Sequence, residues 1–314
     1  VILALLVTLC AQTTTWEPPT LAVRWHKNSA QPGRLLVVEI DIAAGVAPIK
    51  QLTIELDGKH GVVWPVDEQR RRWRGIAPTE IEHALGAAPL DVHALLDDGR
   101  LLERSLDVDI TSGNYDRRNI RVARRFTSPS KAEQQRADRE AQAMSAAQAT
   151  SDTTRLWSGS WLKPTAGSPT APFGTLRTYN QKRRSRHLGL DLDGDVGAAV
   201  VAPARGRVVL AADRFYSGGT VVLDHGEGLF SMVFHLSRID VSVGQVVPKG
   251  ATLGAVGASG QVTGPHLHFT VKLDGVSVDP AQVLALDLES AQPPKPPSSS
   301  SASSESSSTS VFSR

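Results

Sequence analysis

Five of the nine histidines fall between His187 and His268, in patterns that suit a polar site. In Gly264-Pro265-His266-Leu267-His268-Phe269 an extended backbone sends residues two apart to the same face. His266 and His268 therefore project together, while Leu267 and Phe269 face the other way. A lone strand histidine is ordinarily a satisfied core or surface residue; a same-face pair between apolar neighbours reads as a metal or catalytic pair. The segment His187-Leu188-Gly189-Leu190-Asp191 places an imidazole and a carboxylate four residues apart, with a glycine between them that argues against a helix interior. In an extended segment these odd positions share one face, and the missing side chain at Gly189 leaves room for an ion. Chance produces His-x-Gly-x-Asp often, so its weight comes from the later histidines. His187, Asp191 and one of the late pair supply two imidazole nitrogens and one carboxylate oxygen, a set zinc accepts with a fourth tetrahedral position open. An open position marks a catalytic site, because zinc lowers the pKa of bound water to about 7 and polarises a carbonyl. The remaining histidines would then handle protons. His235, in Phe234-His235-Leu236, ends an apolar run where a polar side chain needs a partner. His225, in Asp224-His225-Gly226-Glu227-Gly228, reads as a solvent-facing turn residue.

Other templates fail. Asp191-x-Asp193-x-Asp195 opens like a calcium loop, but Val196 stands where glycine is needed and Ala202 where a bidentate glutamate is needed. There is no His-Glu-x-x-His and no Gly-x-Ser-x-Gly. The glycines from Gly254 to Gly260 lack a phosphate-binding pattern and are explained by turns.

The elements that must position these residues are mostly β. Leu36, Val38, Ile40 and Ile42 alternate with Glu39 and Asp41; Leu52, Ile54 and Leu56 repeat the pattern before the turn signal Asp57-Gly58. Asp98-Gly99 sits between two further apolar runs as a hairpin would place it. Several short strands predict an immunoglobulin-like β-sandwich over residues 20–125. Arg70-Arg71-Arg72-Trp73-Arg74 mixes bases with an aromatic, as single-strand nucleic-acid sites do, but reads better as a solvated strand edge or turn. Ser130 and Glu133 make a capping box that starts a linker helix running to about Gln148, within a linker over 126–156. From 157 to 288 short apolar bursts alternate with glycines, the pattern of a compact, turn-rich β domain. The Pro- and Ser-rich stretch over 289–314 has too few apolar residues to offset ordering entropy and predicts disorder.

With 314 residues there is room for two domains. Hydrophobic residues at 40% and charged residues at 21% are ordinary for a globular chain, and a net charge of +2 falls far short of a dedicated nucleic-acid binder. Val1 to Ala11 is apolar, too short to span a bilayer and followed by a polar run, so residues 1–12 are expected to be part of a secretion signal. Cys10 is the single cysteine, which excludes an intramolecular disulfide; Leu9 ahead of it is not the small residue a lipid anchor needs. An exported monomer, periplasmic or extracellular and not transmembrane, is expected.

The stretch from about Trp161 to Leu284 resembles the lysostaphin and LytM family of zinc metallopeptidases. The likeness lies in the order His-x-Gly-x-Asp, then Gly-x-x-Val-x-x-x-His-Gly, then His-Leu, then Gly-Pro-His-Leu-His-Phe and a closing Val278-Asp279-Pro280. It implies a glycine-rich antiparallel catalytic domain of the duplicated hybrid motif fold. It further implies one zinc ion on His187, Asp191 and His268, with His266 and His235 acting on the water and the developing oxyanion. Family members cut peptide bonds in peptidoglycan stems or cross-bridges, so peptidoglycan is the implied partner. The sequence departs from the family in having Phe234 before His235 and Asp193-Gly194-Asp195 where a Pro-containing turn is common; neither removes a ligand. Asn180, with the basic run Gln181 to Arg186, occupies the loop that borders the groove in relatives and is the expected substrate-binding residue. The rivals are a wall-binding or activator protein that keeps the fold without the chemistry, and a secreted peptidase of other proteins. Such non-enzymatic relatives typically lack a ligand, whereas this chain retains all of them.

Overall fold

The structure is a computed structural model that describes residues 20–25 and 30–286; the expected secretion signal, Cys10 and the Pro- and Ser-rich stretch lie outside the described residues. The N-terminal part runs β1 (Leu21–Trp25), β2 (Leu35–Ile42), β3 (Ile49–Leu56), β4 (Lys59–His60), β5 (Val62–Pro65), β6 (Arg72–Pro78), β7 (Gly86–Leu96) and β8 (Leu101–Ile110). These strands form two four-stranded antiparallel sheets, β1-β2-β6-β5 and β4-β3-β7-β8. The alternation in the sequence explains their packing: Leu36, Val38 and Ile40 of one sheet share a core with Ile54, Leu90 and Val92 of the other. Asp57 and Gly58 both take positive φ (49° and 72°), as a two-residue hairpin turn requires. The arginine run begins in a turn at Arg70 and Arg71, as expected, but its end departs from a solvated edge. Its strand, β6, lies between β2 and β5, Trp73 is buried, and Arg74 is buried within 3.4 Å of the Glu39 carboxylate.

Past the sandwich come β9 (Arg117–Ile120) and α1 (Lys131–Gln148). The capping box at the start of α1 is present in full: Ser130 Oγ accepts from Glu133 N, and the Glu133 carboxylate accepts from Ser130 N. Then follow β10 (Pro169–Ala171), β11 (Leu176–Tyr179), β12 (Arg183–Arg186), β13 (Leu190–Leu192), β14 (Ala199–Val201), β15 (Gly206–Arg214) and β16 (Gly218–Asp224). The last elements are β17 (Leu229–Ile239), β18 (Val246–Val247), β19 (Thr252–Val256), β20 (Leu267–Leu273), β21 (Val276–Val278) and α2 (Pro280–Ala285). A ten-stranded antiparallel sheet runs β10-β13-β20-β17-β16-β15-β18, with β19, β14 and β21 attached to its side. Leu190, Val221, Val233, Phe269 and Val271 form its core, and Leu35, Val62, Trp64 and Ile76 of the sandwich join them. Trp64 meets Trp157 edge to face at 5.4 Å, so the two parts share apolar surface. A separate three-stranded sheet, β12-β11-β9, takes a strand from each side of α1.

His225 departs from its expected exposed position. It is fully buried; its Nδ1 donates to the carbonyl of Arg205 at 2.8 Å, and its Nε2 lies 2.8 Å from Ser231 Oγ. Burial pushes its pKa down to about 4, against the pull of the Arg205 carbonyl and of Asp224. The unfolded chain takes up a proton below about pH 6.5 that the folded chain refuses until about pH 4. Stability is thus expected to fall through that window by up to about 3 kcal/mol from this residue. Denaturant unfolding at pH 7 and pH 5 should show a smaller drop for His225→Gln than for the parent; equal drops would assign the acid sensitivity elsewhere.

Candidate metal centre

Asp191 sits in the short strand β13, directly opposite His268 of β20 in the antiparallel ladder. That register brings the carboxylate and the imidazole to one spot, and His187 joins them from the segment just ahead of β13. His187 Nε2 is 2.9 Å from Asp191 Oδ1, His268 Nδ1 is 2.7 Å from the same oxygen, and the two nitrogens are 3.0 Å apart. All three residues offer donor atoms within 4.8 Å of one another. Gly189 makes this approach possible, because a Cβ there would lie 2.6 Å from the His268 ring and from the Phe269 carbonyl. Gly189→Ala is expected to cost about 1–3 kcal/mol through overpacking and to pull His268 out of register with Asp191. Metal content and melting temperature would both fall; a variant unchanged in both would free this position from the site.

The donor chemistry fits a cation. His187 Nδ1 is 2.7 Å from the carbonyl of Pro172, which can only accept, so the neutral ring carries its proton there. Its Nε2 then faces a carboxylate oxygen at 2.9 Å, a pair that a proton or a metal cation between them would satisfy. Burial, stronger than its contact with Asp191, lowers the pKa of His268 to about 4, which leaves that ring unprotonated at neutral pH. Burial alone would raise the pKa of Asp191; donated hydrogens and positive charge on the side of His187 and His268 overcome it and hold the carboxyl well below the usual range, a role that a bound cation would fill where those rings are neutral. The three residues could therefore hold a metal ion.

Two further imidazoles face this cluster. His266 donates from Nδ1 to the Gly264 carbonyl at 2.9 Å, which leaves Nε2 with its lone pair 3.8 Å from Asp191 Oδ1. His235 donates from Nδ1 to the Ser259 carbonyl at 2.8 Å, and its ring lies 4.9 Å from that of His266. His235 does not end its strand. It sits inside β17 at positive φ (67°), where the pairing with β16 shifts register, and this break turns the imidazole toward the site. Burial, reinforced by the neighbouring His268 and His266, pushes its pKa down to about 3. Phe234 stacks on the His268 ring at 5.3 Å and 12°, so this departure from the family pattern packs against a candidate ligand.

A residue that the sequence did not single out completes the centre. Arg177 of β11 places Nη2 2.6 Å from Asp191 Oδ2, holding the carboxylate so that Oδ1 faces the histidines. A lone arginine in a short strand carries no signal of this role. The Asn180 amide bonds Val122 N and Val122 O at 3.0 and 2.9 Å, and so ties the chain after β9 to the end of β11 beside the cleft-lining Val122 and Tyr179. The basic run beyond it is β12 rather than a loop, with Arg186 held by Glu82 at 2.7 Å.

The centre opens into a cleft of two lobes. One, of about 580 Å³, contains Asp191, His235 and His266 with Arg118 and Arg121; the other, of about 290 Å³, contains His187, His268, Arg183 and Tyr216. Arg177, Tyr179, His235 and Gln261 border both. Among the described residues no helix is long and apolar enough to cross a membrane.

The model of Peptidase family M23 matches residues 185–280, a span that contains the four imidazoles and one carboxylate described above: His187, Asp191, His235, His266 and His268. A crystal structure from Pseudomonas aeruginosa assigned to peptidase M23 is 30% identical, covers 81% of this chain and 95% of its own, and superposes with a TM-score of 0.59. The peptidoglycan DD-endopeptidase ShyA of Vibrio cholerae is 36% identical over 114 residues, 36% of this chain and 26% of its own. ShyB of the same organism is 36% identical over 93 residues, 30% of this chain and 22% of its own. The match thus spans about a quarter of the length of these two relatives. On the structural match along most of both chains, this chain belongs to peptidase family M23.

Proposed function

We propose that the chain is a zinc-dependent endopeptidase that hydrolyses peptide cross-links of bacterial peptidoglycan, exported to where that polymer lies and acting as a monomer. The observation that carries this reading is the convergence of His187 Nε2, His268 Nδ1 and Asp191 Oδ1 beneath a cleft that two more imidazoles enter. Two nitrogens and one oxygen are a zinc-type donor set, and ShyA and ShyB are named for cutting peptidoglycan. A zinc ion bound there would supply Lewis acidity, acidifying water and polarising the scissile carbonyl.

The protein's own groups do the rest. His266, with its lone pair at Nε2, takes the proton from the attacking water and returns it to the departing amine. His235 gives its Nδ1 hydrogen to the Ser259 carbonyl, and burial depresses its pKa, so it presents a bare Nε2 that accepts the water's second hydrogen and aims the attack. Arg177 keeps the Asp191 carboxylate oriented. A non-enzymatic wall binder would need no complete donor set, and none of the site groups is missing here.

The test is a digest of purified sacculi by the zinc-loaded chain, with released muropeptides identified by mass spectrometry. New free termini at cross-links, lost on chelation and restored by zinc, are expected. Binding without release would favour the wall binder, and hydrolysis of casein alone would favour a general peptidase.

A further inference from the structure

We propose that the sheet β12-β11-β9 is an anion-binding wall of the cleft that takes free carboxylates on the peptide stems flanking the scissile bond. This rests on the peptidoglycan reading above. The chain as a whole carries a net charge of only +2, yet this small sheet and its ends concentrate arginines: Arg117 and Arg118 in β9, Arg121 just beyond, and Arg183 and Arg184 in β12. Nearby carboxylates offset little of this. Asp116 lies 3.7 Å from Arg118, Glu82 holds Arg186, and Glu133 lies 3.8 Å from Arg125. Among the described residues, Arg117, Arg121, Arg183 and Arg184 have no carboxylate within ion-pair distance. Arg183 lies over the Tyr216 ring at 5.0 Å, where its position is fixed and its charge is not neutralised.

The placement gives this charge a use. Arg118 and Arg121 line the lobe that holds Asp191, His235 and His266, and Arg183 lines the lobe that holds His187 and His268. Positive charge therefore flanks the metal centre on both sides. The wall is also built to stay in place. Arg117 to Ile120 pair in parallel with Leu176 to Tyr179, the Asn180 amide grips both backbone groups of Val122, and Phe126 packs on Phe215 at 5.3 Å. Adjacent arginines repel one another, and a planar carboxylate, which the guanidinium fork binds with two parallel hydrogen bonds, relieves that repulsion. A stem peptide threaded across the metal centre brings such carboxylates on either side of the bond to be cut. The wall would then distinguish stems with free carboxyl groups from stems in which they are amidated.

The test compares the zinc-loaded chain on a purified cross-linked muropeptide dimer and on the same dimer amidated at its carboxyl groups. Equilibrium binding of each is measured alongside turnover. The parent is expected to favour the free-carboxylate dimer by about tenfold in kcat/KM and in affinity, chiefly through KM, and to lose most of this as salt rises several-fold. The double variant Arg118→Gln/Arg121→Gln should bring the ratio close to one, and Arg118→Lys/Arg121→Lys should restore part of it. Arg183→Gln/Arg184→Gln offers a second reading from the other lobe, with melting temperatures confirming that each variant folds. A parent that treats both dimers alike, or variants that keep the full preference, would overturn the wall. So would a phosphate polymer that outcompetes a dimer showing no carboxylate preference. A parent that binds the free-carboxylate dimer preferentially but cuts neither would sink the endopeptidase reading and leave the wall standing.

Discussion

Asp191→Ala is expected to lose its metal and its activity together. The carboxylate supplies one of three converging donor atoms, and its second oxygen holds Arg177 at 2.6 Å. Outer-shell partners of metal ligands commonly change affinity by about 10- to 100-fold, so removing a ligand should weaken binding by more than about 100-fold. The alanine also leaves a largely buried guanidinium without its counter-charge, a change that typically costs about 3–5 kcal/mol. Asp191→Asn separates the two effects, since the amide keeps the volume and one acceptor oxygen while removing the charge. Zinc stoichiometry after dialysis, a sacculus digest and a melting curve should be read together for both variants. A folded Asp191→Asn protein that kept one zinc per chain at the parent's affinity would overturn the ligand assignment.

How much of this centre the sequence revealed depends on whether each signal was local. Asp191 and His268 were legible because a period-2 strand fixes which side chains share a face; His187 and His266 lie just ahead of β13 and β20 and continue that reading beyond the strand ends, and Gly189 pointed to a close approach that the structure contains. The capping box of α1 was legible for the same reason: its partners lie three residues apart. Hydrophobic alternation predicted the two layers of the N-terminal sandwich but carried no information about strand order. Arg177 was hidden because its partner is fourteen residues away on another strand, and any arginine could have filled that place. The pairing of β9 with β11 spans the whole of α1, and no pattern in Arg117 to Ile120 announces it. His225 misled because glycine turns are usually exposed, whereas here its carbonyl accepts from Leu156 N and its ring packs on Trp161 at 4.6 Å. Bulged positions such as His235 escape a strand pattern by construction, since the register shift that aims the side chain also breaks the alternation.

His266→Ala is expected to separate chemistry from metal binding. Its Nε2 stands 3.8 Å from Asp191 Oδ1, outside the trio of donor atoms that lie within 3.0 Å of each other, so the zinc content should match the parent's. What the variant loses is a proton acceptor whose tautomer is set by the Gly264 carbonyl. Loss of a positioned general base typically lowers the rate by about 10²–10⁴, and kcat should carry that loss with KM little changed. Little strain is expected, because the ring is partly exposed to the cleft and alanine fits an extended backbone. His266→Gln adds a control: the amide can bond Gly264 or hold a water but cannot take its proton, so it should be as slow as alanine. Were Gln to restore the rate, His266 would serve by orientation, and the bare Nε2 of His235, one ring away at 4.9 Å, would be the base.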